Sequence, residues 1–144
     1  MKKLISIAIL LWISFFGLNA QNSLTVELTG FGKPAGKLYI ALYDSNVPFL
    51  SDKAISGKIV SVSAERVSIN FDDLKNGEYA IAIYHDENDN GKLDLGDYGI
   101  PAEKYGFSNN IDPVKLQRPP VFSECKFTVN GNVEEYIQLM SAIK

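Results

Sequence analysis

From residue 22 onward, apolar and polar positions alternate in short runs rather than recurring every three or four residues. Leu24, Val26 and Leu28 alternate with Thr25, Glu27 and Thr29, the period-two signature of a strand with one face in a core. Lys37–Tyr43 repeats the pattern through Leu38, Ile40 and Leu42, but Tyr39, Ala41 and Tyr43 fill the other face, so cover on both sides is expected. Further strands are predicted over Lys58–Val62, through Val67, Ile69 and Phe71, over Glu78–Tyr84, over Val121–Val129 and over Val133–Met140. Tyr79 to Ile83 is almost wholly apolar, which predicts a central strand buried on both faces. Asn76-Gly77 predicts a tight hairpin turn. No stretch holds helical periodicity over three turns; only a short helix is allowed, near 47–54 or within 113–122.

About seven short strands, roughly 8–12 residues apart, predict an all-β fold. The expected form is an antiparallel β-sandwich, prealbumin- or immunoglobulin-like. It carries one long loop, Gly99–Pro120, which Tyr105 and Phe107 should keep packed and ordered.

Residues 1–20 break the pattern. Lys2 and Lys3 precede a nearly unbroken apolar run from Leu4 to Phe16, and Leu18-Asn19-Ala20 offers a cut before Gln21. This reads as a secretory signal peptide; the run is short of the ~20 residues that a membrane span needs. No Cys lies in it, so a lipid-anchored cleavage site is not expected. Residues 21–144 are then one domain, long enough for a core. Loss of two lysines moves the formal charge from −3 to −5, and without a basic stripe the chain is a poor candidate for nucleic acid. The one cysteine, Cys125, excludes an internal disulfide and is expected as a buried thiol.

The chemistry concentrates in Asp86–Asp97. Asp86, Asn88, Asn90, Asp94 and Asp97 fall at positions 1, 3, 5, 9 and 12 of a twelve-residue loop, with Gly91 at position 6. Lys92, at position 7, would offer its main-chain carbonyl, and Leu93 would anchor the loop to a core. This is the pattern of an EF-hand-type calcium loop. Ca²⁺ is a hard cation that takes oxygen ligands, and alternate residues of one turn can aim their oxygens at a common centre. Polar turns also use Asp, Asn and Gly, but five oxygen positions in register with the glycine point to a bound Ca²⁺. Asp97 is one methylene shorter than the usual Glu, and Glu78–Tyr84 ahead of the loop reads as strand. The loop is therefore expected between β elements rather than between helices.

Several runs together resemble the bacterial domain-of-unknown-function family 2141. They are His85-Asp86-Glu87-Asn88, Asn90-Gly91-Lys92-Leu93-Asp94, Gly99-Ile100-Pro101, Glu103 and Tyr105-Gly106-Phe107-Ser108-Asn109-Asn110. Gly77-Glu78-Tyr79-Ala80, Pro119-Pro120-Val121-Phe122 and Phe127 are similar to its central-strand entry and closing motif. The resemblance implies export and a small β-rich domain; no established biochemical activity comes with it. Asp86–Pro101 alone is similar to the calcium loops of B-type repeats in Gram-positive surface adhesins, which implies a structural Ca²⁺.

His85 is the one histidine, and no nucleophile elbow or activated pair lies near it, so catalysis is not expected. One histidine and one thiol make a poor zinc set. The expected function is a calcium-binding module, exported to the periplasm or beyond, with a structural or binding role in the cell envelope. Its partner would be an envelope protein or glycan. The alternative is a carbohydrate- or peptide-binding module in which His85, Tyr105, Phe107, Asn109 and Asn110 contact the ligand, aromatics and amides being suited to sugar rings or peptide backbone.

Overall fold

A computed structural model describes residues 21–142, so the expected signal peptide lies outside the described residues. Two sheets face each other. In the first, β1 (Asn22–Thr29) lies between β4 (Val67–Leu74) and β8 (Asn132–Gln138). In the second, the order is β3 (Ser56–Ser61), β2 (Lys37–Asp44), β5 (Gly77–Asp86) and β6 (Tyr105–Phe107), while β7 (Phe127–Val129) pairs with the start of β5. The all-β sandwich is thus as the alternation predicts. One pair departs from antiparallel: β1 and β8 run parallel, Leu24 opposite Val133 and Leu28 opposite Ile137.

The core between the sheets is the set of inward residues the alternation marks. Leu24, Val26, Leu28, Leu38, Leu42, Ile81 and Val129 are all fully buried. Burying a side chain of this size contributes about 1.5–3 kcal/mol. A smaller cluster of Ala80, Tyr105, Phe107 and Cys125 covers part of the outer face of β5, with Phe49 and Phe122 packed against it. This second cover explains the unbroken apolar run of Tyr79–Ile83.

Three local expectations are corrected. Asn76-Gly77 closes no hairpin, because β4 belongs to the first sheet and β5 to the second; the turn carries the chain between sheets. Val121–Val129 is not one strand. Pro119 and Pro120 lack N–H donors, and Glu124 Oε2 reaches back to accept the Val121 N–H at 2.9 Å. The result is a helical turn, α2 (Phe122–Cys125), and only Phe127–Val129 is left to pair. Of the two allowed helix positions, the structure uses the second: α1 (Pro113–Leu116), with Asp112 as its cap, accepting the Val114 N–H at 2.9 Å.

The long loop is ordered by side chains the alternation does not mark. β6 and β7 share one edge of β5 and leave a gap at Ile81. Ser108 fills it: its Oγ accepts the Ile81 N–H at 2.9 Å and donates to the Cys125 carbonyl at 2.6 Å. Asn109 Nδ2 donates to the carbonyls of Glu124 and Lys126, and Asn110 bridges to Tyr136 and Gln138 of β8.

Cys125 sits on α2, fully buried. Burial first, and the Glu124 charge second, push its thiol up to about 12 from an ordinary 9.0. The protonated thiol favours the fold fully below about pH 9, and this contribution fades as pH rises toward 12. The folded protein at pH 8 is expected to leave Cys125 unlabelled by Ellman's reagent, with one thiol per chain appearing in guanidinium. Rapid stoichiometric labelling of folded protein would refute the burial assigned to it.

Candidate metal centre

The acidic loop leaves the end of β5, where Asp86 is the last strand residue and is fully buried. Its burial is built by the β1–β2 connection. Gly36 has φ +73, and a Cβ there would lie 2.1 Å from the Asp86 carbonyl oxygen, so only glycine lets the two segments approach. The buried carboxylate is fully engaged: Oδ1 accepts the Asn90 N–H at 3.0 Å and Oδ2 the Gly91 N–H at 2.8 Å. These two bonds wind the chain back on itself at positions 5 and 6, and Gly91 takes φ +83 to allow it.

The next candidate ligands converge. Asn88 Nδ2 lies 2.6 Å and Asn90 Nδ2 2.8 Å from the same oxygen, Asp94 Oδ2. Positions 3, 5 and 9 therefore end at one point. An amide carries a donor and an acceptor at nearly equal reach; both Oδ1 atoms here accept main-chain N–H groups, Asn88 from Asn90 at 3.1 Å and Asn90 from Lys92 at 3.0 Å, so turning the oxygens toward a cation would exchange those two bonds. The amide hydrogen bonds, with the Lys92 charge after them, hold the Asp94 carboxyl below its ordinary range. The loop from Asp86 to Asp97, ends included, carries five acids and one lysine. Lys92 Nζ stands 3.9 Å from Asp94 Oδ1, and Lys37 Nζ of β2 pairs with Asp89 at 2.7 Å.

Asp97 is placed differently from its neighbours. It opens a 3-10 turn, Asp97–Gly99, and is exposed. Among the described residues, no hydrogen bond or ion pair joins its carboxylate to the other candidate ligands. Nor do three or more His, Cys, Asp or Glu side chains gather there as a metal-holding group; the converging ends are two amides and one carboxylate.

Glu103 is a part of the site that spacing within the loop does not mark. It is only 6 % exposed, and its two oxygens accept the Glu87 N–H at 2.9 Å and the Asp94 N–H at 3.0 Å. One carboxylate thus ties the start of the loop to its far side. It is the one acid between Asp97 and Asp112, and a buried partner for the loop's main-chain donors is the need that could have pointed to it.

The other candidates separate. His85 is buried; its Nε2–H donates to the Ala35 carbonyl at 2.6 Å, and its ring meets Phe31 edge-on at 5.8 Å. Its Nδ1 has no hydrogen-bond partner and stands 3.9 Å from Glu87 Oε1. Tyr105 and Phe107 pack on the outer face of β5 and border a groove there. The Asn109 and Asn110 amides are spent on main-chain groups. No helix among the described residues is long and apolar enough to cross a membrane.

A family model described as "uncharacterized protein conserved in bacteria (DUF2141)" matches residues 26–137, from within β1 to within β8 and across the whole acidic loop. No curated protein and no solved structure matches the chain. With nearly all of its sandwich inside that match, the chain belongs to domain-of-unknown-function family 2141.

Proposed function

We propose that this protein is an exported, calcium-binding β-sandwich module with a structural or binding role in the cell envelope, and without catalysis. One observation carries the reading. Asn88, Asn90 and Asp94 bring their side-chain ends to one point beside the fully buried Asp86. Asn88 and Asn90 supply neutral oxygen and Asp94 charge, with the Lys92 carbonyl as a main-chain ligand and Asp97 as the outer acid. A hard cation at that point would remove the repulsion among the loop's acids and lock the chain between β5 and β6.

Terbium tests this directly. Tyr39 Oη would stand 3.8 Å from a Cβ on Gly91, so a tyrosine ring lies against the loop and can pass excitation to a bound Tb³⁺. Tyrosine-excited emission is expected to saturate, to be displaced by calcium in the range of about 10⁻⁴–10⁻³ M that extracellular modules show, and to be lost in Asp94→Ala. Emission that calcium does not displace, or that Asp94→Ala leaves intact, would defeat the proposal.

The second reading, a carbohydrate- or peptide-binding module built on Tyr105–Asn110, has in its favour that Tyr105 and Phe107 border a groove. Against it, the Asn109 and Asn110 amides are held by the fold and are not free to contact a ligand.

A further inference from the structure

The outer face of the second sheet is a trough. Strand register sets Gly57, Ala41 and Ala82 side by side across β3, β2 and β5, with Phe107 of β6 closing the row. The neighbouring row is large: Ile59, Tyr39, Tyr84 and Tyr105. Tyr39 and Tyr84 stand stacked, ring centroids 4.7 Å apart and 4° from parallel. On the other side Tyr43 rises, with Phe49 against it at 5.1 Å. A row of small side chains between two aromatic ridges leaves a channel. The acidic loop and the 113–120 segment extend its walls, and the open channel between them has a volume of about 1260 Å³.

Exposed apolar groups concentrate here. Among the described residues, six of the nine large apolar side chains that stand exposed line this channel: Leu50, Ile59, Leu95, Tyr98, Ile100 and Val114. Tyr98 is fully exposed and holds a left-handed backbone, φ 60. A contiguous apolar surface of this kind on a small domain marks a place where something apolar is covered.

The charges along it select the occupant. Arg118 is neutralised by Glu124, its two terminal nitrogens 2.7 and 3.0 Å from the two carboxylate oxygens. Lys58 turns to the opposite side of the sheet, its amine 5.3 Å from the centre of the Phe71 ring in the core. Of the charged residues along the channel, that leaves Asp52. The Tyr43 and Ser51 hydroxyls already donate to the Ser51 and Pro48 carbonyls. Tyr39, Tyr84, Tyr98 and Tyr105 add hydroxyls to the walls, but the floor of Gly57, Ala41 and Ala82 offers a sugar no side-chain partner, at a cost for each hydroxyl left unpaired over it. A hydrocarbon chain would leave none.

We infer that this channel is a binding site for the acyl chain of a lipid, laid over Gly57, Ala41 and Ala82 with its polar head in solvent. The floor stands on strands alone; the acidic loop lends Leu93 and Leu95 to one wall, and the inference needs no cation bound in that loop.

Fluorescence of cis-parinaric acid, a long-chain fatty acid with a conjugated tail, tests the inference on the domain from Gln21 onward. Titration in EDTA keeps the result separate from calcium binding. Saturable enhancement is expected, with displacement by oleic acid and not by cellohexaose. Ala82→Phe fills the trough and is expected to weaken binding at least about tenfold. A second variant guards against misfolding: Ile59→Ser with Leu95→Ser, at positions 61 % and 59 % exposed, should fold normally by circular dichroism and weaken binding several-fold. No enhancement with folded wild type, affinity unchanged in both variants, or displacement by cellohexaose or an extended apolar peptide but not by oleic acid would overturn it.

Discussion

Asp86→Ala is expected to lower the melting temperature by about 10 °C in EDTA and to abolish the response to calcium. The side chain is fully buried, and its two oxygens take the N–H groups of Asn90 and Gly91. Each donor left unpaired costs about 1–3 kcal/mol, and one kcal/mol shifts the melting point of a domain of this size by roughly 3–6 °C. Calcium is expected to stabilise the wild type alone. At about 10 mM ion and a Kd of about 10⁻⁴–10⁻³ M, mass action contributes about 1.4–2.7 kcal/mol. Wild type should therefore melt roughly 5–10 °C higher in calcium than in chelator, and the variant equally in both. Calorimetric melts in the two buffers decide it. A wild type indifferent to calcium, or a variant that still responds, would remove the metal from this account. A variant that melts with the wild type in EDTA would remove the structural role of Asp86 as well.

Glu103→Ala is the second large expected effect. Its carboxylate is the joint acceptor for Glu87 and Asp94, so truncation frees two main-chain donors and opens the loop along its whole length. The expected cost is about 2–4 kcal/mol, read as a lower urea midpoint with an unchanged slope. The location is read by hydrogen exchange. The amides of Glu87 and Asp94 should lose protection through local opening, while those of β1 should exchange only through global unfolding. Glu103→Gln keeps one acceptor oxygen and should fall between wild type and alanine. If Glu87 and Asp94 keep their protection in Glu103→Ala, the clamp does not hold the loop. Weaker calcium affinity in Glu103→Ala is expected to follow, because Glu103 holds the main chain of Asp94, one of the converging candidate ligands.

Much of this was legible along the chain because strands and calcium-type loops are local patterns. Leu24, Val26 and Leu28 each follow from their neighbours' polarity, and all three are buried. The loop spacing from Asp86 to Asp94 follows from how one turn aims its side chains, and Asn88, Asn90 and Asp94 do converge. Asn76-Gly77 misled because the dipeptide favours a tight turn whether or not the strands it joins share a sheet. Val121–Val129 misled because alternation cannot register that Glu124 would capture the Val121 N–H and wind the chain into α2.

By itself the order of residues determined a two-layer β fold, its inward-facing set and a twelve-residue oxygen-rich loop after the central strand, since each is marked by a pattern of residue types within a few positions. Only the tertiary structure decided what lies between distant segments: Glu103 closing the loop, Ser108 bridging Ile81 to Cys125, β1 running parallel to β8, and the trough of Gly57, Ala41 and Ala82. Those features arise from strand register and from the pairing of buried donors with acceptors across the fold, and no short stretch of residues contains both partners.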